Sequence, residues 1–422
     1  MTKIIIVGGG WAGCAAAVAA TKAGAQVTLL ERTDMLLGTG LVGGIMRNNG
    51  RFTASEEMIA MGGGELFQIC DRTARHTNLE FPGHNHASIY DIVRTPAAVV
   101  DYLTDIGVEI IYEARVTEAV MEQQTILSVK DQNGREYQGS IFIDATGTAG
   151  PMNNCAKYGN GCAMCIIRCP SFGGRVSLTG LTGVKEMIGR KADGSMGAMS
   201  GSCKLYKESL SFEIQQELNT KGLAVIQIPE ELKEDHMAMK ACQQYTLPAY
   251  KDNLILLDTG HAKLMTPFYN LDQLRKIRGF EKARYEDPYA GGKGNSMRFL
   301  AMAPRDNFLK VSGVDNLFCA GEKVGLMVGH TEAIVTGTLA GYNCVKHALG
   351  DKLLELPRQL ATGDMIAFVK ESMETEEGMS KKYTFSGSVY FERMIRLDMY
   401  QTNVDYIRNR VEELGMTNIF SR

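Results

Sequence analysis

The pattern of apolar and polar positions is clearest over the first 32 residues of the chain. Residues 4–7 form a continuous β-branched run, which is typical of a strand buried on both faces of a parallel sheet. Small residues from 14 to 23 predict a helix that Gly24 ends, and residues 26–30 predict a second strand, which Glu31 follows. This order of strand, helix and strand predicts a βαβ unit at the start of the chain.

Two later strands lead into short segments of small or acidic residues. A hairpin over 125–137 precedes a strand that runs into Ala-Thr-Gly at 145–147. A strand over 314–319 runs into Gly-Glu at 321–322, and a helix start follows at 329–333. Both segments therefore lie where a strand of the same predicted sheet ends.

The remaining patterns divide the chain into a middle and a C-terminal part. Residues 223–228 and 254–257 predict strands, and residues 271–287, with five basic side chains, predict a solvated helix. Residues 393–400 and 404–414 are amphipathic at helical spacing. We therefore expect a mixed middle part and a helical C-terminal region.

Three glycines connect the first strand to the first helix in a G-x-G-x-x-G pattern. Gly8 permits a tight turn, Gly10 lets the backbone approach a pyrophosphate, and Gly13 lets the helix pack closely on the sheet. The helix N-terminus offers N–H groups to phosphates. Glu31 can accept hydrogen bonds from ribose hydroxyls and would repel a 2′-phosphate, which argues against NADP. The motif predicts a dinucleotide cofactor but does not separate FAD from NAD.

With the segments at 145–147, 321–322 and 329–333, the chain resembles the flavoproteins of the glutathione-reductase superfamily that have two dinucleotide-binding domains. The resemblance implies bound FAD, with Val116 at the adenine, Glu322 at the ribityl chain, and the N–H groups near His330 facing flavin N1 and O2. The residues predicted to bind FAD are Gly8, Gly10, Gly13, Glu31, Arg32, Gly38, Gly43, Val116, Ala145, Thr146, Gly147, Gly321, Glu322, Gly329, His330 and Thr331.

Two glycine-containing segments narrow the resemblance. Residues 36–44 look like the stretch after the ribose-binding acid in the FAD-dependent oxidoreductase group, and residues 329–343 are similar to the last FAD motif of the glucose-inhibited-division tRNA-modifying flavoproteins. The implied fold class is α/β, a Rossmann-like FAD-binding domain with an inserted antiparallel α+β substrate domain and a helical C-terminal region. The predicted boundaries are 1–154 and 305–350 for the FAD domain, 155–304 for the insert and 351–422 for the helical region.

Composition and charge limit the classes of partner. The net charge is −3 and the pI is about 6.2, so neither a nucleic acid nor an anionic membrane is expected as a partner. The sequence contains no run of 18 apolar residues, so it predicts no membrane span. The glycines at 8–10 would break a signal-peptide helix, so we interpret the N-terminus as part of the fold and expect a cytoplasmic protein.

Four of the ten cysteines fall within 15 residues, at 155, 162, 165 and 169. Cys162, Cys165 and Cys169 spell C-x2-C-x3-C-P, the tail of a bacterial ferredoxin motif, and Cys155 would supply a fourth sulfur for a [4Fe–4S] cluster. A redox-active or substrate-contacting thiol centre is a second interpretation. Buried structural cysteines are a third. The sequence leaves all three open and predicts no separate metal site.

Three further side chains have chemistry suited to a flavin site. Arg168 and Arg175 could hold a substrate carboxylate, because the guanidinium fork matches it bidentately. His330, at the predicted helix start, could give or take a proton. The predicted catalytic residues are Cys162, Cys165, Cys169, Arg168, Arg175 and His330.

We therefore expect an FAD-dependent oxidoreductase that transfers hydride between flavin N5 and a small, carboxylate-bearing substrate. One alternative is a flavin and iron–sulfur electron-transfer subunit of a larger complex, which would need a protein partner. The other is a flavin-dependent tRNA-modifying enzyme. The C-terminal helices are also compatible with a homodimer.

Overall fold

A computed structural model describes residues 2–148, 169–190, 194–195, 198–199, 202–233, 247–266, 269–286, 297–298 and 300–421. The elements before residue 149 are β1 Lys3–Val7, α1 Trp11–Lys22, β2 Gln26–Leu30, α2 Gly40–Gly43, β3 Ile45–Met46, α3 Gly50–Ala60, α4 Glu65–Arg72, β4 Ala74–Phe81, β5 His84–Tyr90, α5 Arg94–Asp105, β6 Glu109–Ile111, β7 Val116–Glu122, β8 Thr125–Asp131, β9 Glu136–Gln138 and β10 Ile141–Asp144.

Short elements predominate in the middle of the chain, and longer helices follow. The elements after residue 168 are α6 Cys169–Phe172, α7 Leu178–Leu181, β11 Met187–Ile188, β12 Ala198–Met199, β13 Cys203–Leu205, α8 Phe212–Lys221, β14 Leu223–Gln227, α9 Ala249–Asp252, β15 Asn253–Asp258, β16 Ala262–Leu264, α10 Leu271–Leu274, β17 Met297–Arg298, β18 Ala301–Met302, β19 Leu317–Cys319, α11 His330–Ala348, α12 Ala361–Ser372, α13 Glu376–Met379, α14 Ser388–Arg396 and α15 Val404–Glu413.

The largest sheet in the described part of the chain is parallel, with five strands in the order β19, β10, β1, β2, β6. Ile4 pairs with Ile141 on one side and with Val27 on the other. The apolar run of β1 is buried because helices cover the sheet, as expected for a parallel sheet. The predicted α/β class and Rossmann-like core are confirmed.

Helices α1 and α11 pack against each other with their backbones in close approach. A Cβ atom on Gly337 would lie 2.2 Å from the carbonyl oxygen of Ala12, and one on Gly341 would lie 2.2 Å from that of Ala16. Only glycine allows this separation, because any side chain would meet backbone rather than a movable group. The two helices therefore have a fixed spacing where they meet.

The middle of the chain forms an antiparallel sheet in the order β13, β16, β15, β14. One face, with Leu205, Leu256 and Leu264, packs on α8 and the segment after α10. The other face packs against the sheet β3-β5-β4 in a smaller apolar cluster. The inserted antiparallel part of the predicted fold is confirmed, whereas its boundaries at 155 and 304 remain predictions.

The predicted helix over 271–287 is wrong beyond its first turn. Helix α10 ends at Leu274, and turns follow as far as residue 286. Gly279 has φ +90°, a conformation incompatible with a helix, and Ile277 and Phe280 are buried in the core of the insert. Burial of these side chains decides the backbone path, which the basic residues alone did not reveal.

The C-terminal region is helical, as predicted, and α15 begins at Val404 as expected, whereas α14 begins at Ser388, before the predicted residue 393. Helix α14 ends at Arg396, and Asp398 with φ 52° leaves the predicted helix 393–400 incomplete. The region docks on α3 through Glu57, which is fully buried and accepts the N–H groups of Ala361 and Thr362 at 2.9 Å each. A carboxylate at the N-terminus of α12 stabilises that helix.

Candidate functional site

A cleft lies at the carboxyl ends of β1, β2, β10 and β19, where ligands bind in open α/β sheets. Of the residues predicted to bind FAD, Gly13, Gly43 and Thr331 do not line it. The predicted residues that do line it are Gly8, Gly10, Glu31, Arg32, Gly38, Val116, Ala145, Thr146, Gly147, Gly321, Glu322, Gly329 and His330.

Glu31 lines the cleft together with Arg32 and Val116, and we call this part the Glu31 end. Its Oε2 accepts the N–H of Gly9 at 2.8 Å, and its Oε1 accepts the N–H and hydroxyl of Thr33 at 2.8 and 3.0 Å. These local bonds fix the carboxylate. A carboxylate has about four lone-pair sites, so acceptor capacity is left for ribose hydroxyls.

The glycine motif has three distinct local geometries. Gly8 has φ +108°, and a Cβ there would lie 2.4 Å from the carbonyl oxygen of Ala145. A Cβ on Gly13 would lie 1.9 Å from the carbonyl oxygen of Gly8, so this glycine serves helix packing, as predicted. Gly10 has no heavy atom within 4 Å of its Cβ position and lines the cleft. This open space before the start of α1 fits a pyrophosphate.

Behind the Ala-Thr-Gly turn lies a buried polar network. Asp144 accepts the hydroxyls of Thr146 and Thr179 at 2.7 Å each, and their N–H groups at 3.1 and 2.8 Å. Lys323 lies 3.9 Å from Asp144 and pairs with Glu186. The network fixes the wall of the cleft at Thr146, and no local sequence motif marks it.

Arg175 lies against the same turn, where its Nη1 donates to the carbonyl oxygen of Thr146 at 2.8 Å. It lines the cleft beside Gly147 and Val176, among residues predicted to bind the cofactor. Its predicted role as a holder of a substrate carboxylate stays a prediction. On the opposite side of the turn, Glu322 accepts the N–H of Thr148 at 3.2 Å.

The predicted cysteine cluster and Arg168 lie largely outside the described residues. Cys155, Cys162, Cys165 and Arg168 are not described, and Cys169 is described only as the first residue of α6. Among the residues that are described, no group of three or more His, Cys, Asp or Glu side chains could hold a metal ion. The three interpretations of the cluster stay open.

His330 begins α11, and with Gly43 and Tyr90 it forms what we call the His330 end. A Cβ on Gly43 would lie 1.7 Å from His330 Cε1, so the imidazole packs on this glycine. The Tyr90 hydroxyl donates to the carbonyl oxygen of Gly40 at 2.7 Å and lies 3.4 Å from His330 Nδ1. Gly43 therefore supports His330 rather than lining the cleft.

A buried ion pair supports the start of α11 from behind. Arg51 Nε lies 3.2 Å from both carboxylate oxygens of Glu332, which also accepts the hydroxyl of Thr384 at 2.7 Å and the N–H of Phe385 at 2.8 Å. Thr331 is buried, with its hydroxyl 3.8 Å from the Met46 sulfur, so its side chain does not reach the cleft. Glu332 lies within the predicted helix start 329–333, but its pairing with Arg51 was not predicted.

Comparison with models of known protein families identifies the family of this chain. The model of one family, described as glucose inhibited division protein A, matches residues 3–263 and 260–352. The chain belongs to the glucose inhibited division protein A family. Membership confirms the resemblance to FAD-dependent flavoproteins inferred from the motifs.

Solved structures of this family share the fold. Aquifex aeolicus GidA in its form II crystal has a TM-score of 0.69 and is 15% identical, covering 100% of this chain and 74% of that chain. The form I crystal gives 0.65 and 15%, covering 100% and 76%. At this identity the likeness establishes the fold alone. Among curated proteins, none matches the chain.

Family membership, fold and cleft agree on the class of protein. It is an FAD-dependent enzyme with an oxidoreductase-type fold, and FAD is its cofactor. The residues present fit FAD, because open space at Gly10 meets two helix starts and a fixed carboxylate at Glu31. None of the helices in the described ranges has the length and apolar character needed to cross a bilayer.

Proposed function

We propose that FAD lies extended along the cleft, with its adenosine at the Glu31 end, its pyrophosphate at Gly10 and its flavin ring at the His330 end. The single observation that carries this proposal is the cleft itself, in which the starts of α1 and α11 and the Glu31 carboxylate line one continuous space. Helix N-termini favour negative charge, and a carboxylate favours hydroxyl donors. Bound FAD would accept or donate a hydride at N5.

The chain's own residues at the His330 end support redox chemistry on a small substrate. The imidazole of His330 is half-buried and close to Tyr90, where it could hold or release a proton. The first N–H groups of α11 would stabilise negative charge on the flavin pyrimidine ring. We propose hydride transfer to or from a small substrate that bears a carboxylate, with Arg168, Arg175 and the cysteines of 162–169 as candidate contacts.

A flavin-dependent tRNA-modifying activity is the second candidate, and the family match over residues 3–352 favours it. The net charge of −3 argues for a local rather than a general basic surface if RNA binds. An electron-transfer role would instead require iron at the cysteine cluster. The three candidates therefore differ in what should copurify with the protein.

The first test is FAD binding, followed by absorption spectroscopy and assays of iron and bound RNA. We expect the two-banded spectrum of bound flavin, and Glu31→Ala should weaken FAD affinity about tenfold or more because a charge-assisted bond is lost. Glu371→Ala, at an exposed ion pair, serves as the matched control.

Each outcome decides between the candidates. No flavin spectrum after reconstitution with FAD would overturn the proposal. About four iron atoms per chain would favour electron transfer. A tRNA complex that survives physiological salt, seen as a mobility shift, would favour RNA modification.

A further inference from the structure

Lys263 is a buried cation on the face of the insert's sheet that packs against β3, β4 and β5. It lies in β16 opposite Leu257, on the face that packs against β3, β4 and β5 through Ile255, Leu257 and Met265. The side chain is buried. A methionine or leucine would fill such a position without a polar group to satisfy, so this lysine needs an explanation.

The amino group of Lys263 connects the insert to the turn beside His330. Its Nζ donates to the carbonyl oxygen of Val42 at 2.6 Å and to the hydroxyl of Ser202 at 2.7 Å. Val42 belongs to α2. Thr39, just before this helix, and Leu41, within it, line the cleft. Gly43, the last residue of the helix, packs on His330. This hydrogen bond joins residues 221 positions apart in the sequence and fixes the turn that contains Val42.

The contacts of Lys263 suit a neutral amine better than an ammonium. A neutral amine has two N–H groups, and two acceptors are present, whereas an ammonium would have a third N–H group. Within the described ranges, no carboxylate lies at ion-pair distance from Lys263. Both acceptors are uncharged, so nothing in contact compensates a positive charge.

Neighbouring charges add to this preference. Burial, together with the like charge of Lys204 directly opposite on β13, lowers the pKa of Lys263 to about 7, and nearby Cys203 acts weakly in the other direction. Glu286 pairs with Lys204 at 3.2 Å and also contacts His261. The turn over Gly40–Gly43 carries no titratable side chain, and His330 and Tyr90 lie beyond it.

We propose that Lys263 is a positioning residue for the His330 end, holding the Val42 carbonyl so that Gly43 supports His330, and that protonation of its amine changes the environment of the bound flavin. The inference rests on the proposed placement of the flavin ring at this end. It predicts that a group outside the cleft titrates in the spectrum and affinity of bound oxidised FAD.

The test compares wild-type protein with Lys263→Met and Lys263→Arg, using the dissociation constant of FAD and the visible absorption bands from pH 5.5 to 9. Wild-type protein should show a step near pH 7. Both variants should lose it, since methionine never carries a proton and arginine never releases one. Lys204→Met should move the step to higher pH because a like charge is removed.

Two further variants serve as controls. Lys221→Met alters an exposed lysine of the same insert and should leave the step in place. His330→Gln identifies a step that belongs to the imidazole instead. A step that persists unchanged in both Lys263 variants, or that only His330→Gln removes, would overturn the assignment.

The outcomes separate this inference from the proposed function. No FAD binding by wild-type protein would overturn both. FAD binding with a step that ignores position 263 would overturn only the role of Lys263. Thermal denaturation monitors folding, and should Lys263→Met unfold, Lys263→Arg decides alone.

Discussion

The two ends of the cleft are built by different means. At the Glu31 end, the carboxylate accepts hydrogen bonds from Thr33, two residues later in the sequence, and from Gly9, in the turn between β1 and α1. At the His330 end, Arg51 and Glu332 are 281 residues apart, and Lys263 reaches the turn at Val42 from the insert. The Glu31 end is shaped by local backbone geometry, and the His330 end by buried polar side chains from distant parts of the chain.

This difference has an energetic consequence. Backbone geometry tolerates changes of charge but not of volume, because a Cβ has no space where a carbonyl oxygen lies 1.9 Å away, as at Gly13. Buried charges tolerate modest changes of volume but not loss of a partner. Substitutions that add volume and substitutions that remove a charged partner should therefore have different effects at the two ends.

The largest effect is expected at Arg51. Arg51→Met leaves Glu332 buried without its cation and should lower the free energy of unfolding by about 3–5 kcal/mol. Arg358→Met breaks an exposed ion pair with Glu371 and should cost at most about 1 kcal/mol. Chemical denaturation of both variants measures the difference, and equal losses would show that burial of the pair does not matter.

A smaller effect is expected within the glycine motif, where substitutions at Gly13 and Gly10 should affect stability and FAD binding differently. Gly13→Ala should lower the free energy of unfolding by about 3 kcal/mol, because the new Cβ meets the Gly8 carbonyl oxygen. Gly10→Ala should lower the free energy of unfolding of the FAD-free protein by at most about 1 kcal/mol, because the new Cβ at this helix cap meets no heavy atom, yet it should weaken FAD binding. Denaturation without FAD and a titration with FAD measure the two effects. Equal FAD affinity for Gly10→Ala and wild type would contradict the placement of the pyrophosphate.

The smallest effect concerns His84, which is buried beside Asn48 and close to Arg51. Burial, with a contribution from Arg51, lowers its pKa to about 3. The unfolded chain therefore binds the proton more tightly, and stability is lost as pH falls from 6.5 toward 3. Between pH 7 and pH 5 the loss should be about 2 kcal/mol.

His84→Gln should remove that share of the acid sensitivity. Unfolding measured at pH 7, 6 and 5 for both proteins gives the comparison. Parallel pH dependences would mean that His84 binds a proton equally tightly in the folded and the unfolded protein.

Motif residues at the Glu31 end could be predicted from the sequence because each acts within a few residues of its neighbours. Gly8, Gly10 and Glu31 belong to a βαβ unit whose geometry the local pattern specifies, and all three line the cleft. The start of α11 at His330 was predicted in the same way. The helical C-terminal region was predicted from the amphipathic spacing of residues 393–400 and 404–414.

Residues that act through long-range contacts could not be predicted. Lys323 follows Glu322 directly, yet its burial beside Asp144 and Glu186 depends on three separate segments. Lys263 lies in an ordinary apolar strand, and only the register of β16 shows that it faces a second sheet. Gly43 was predicted to bind FAD, but its contact with His330 requires the fold itself.

The glycines of α11 have a consequence for the cofactor as a molecule of fixed length. Because Gly337 and Gly341 bring α11 onto the carbonyl oxygens of Ala12 and Ala16, the helix starts that face the cleft cannot slide relative to each other. The packing of the two helices therefore fixes the separation between the site for a phosphate and the site for a ring system. A ligand that satisfies both must therefore carry its phosphate and its ring system at a matching separation, as the proposed placement of FAD requires.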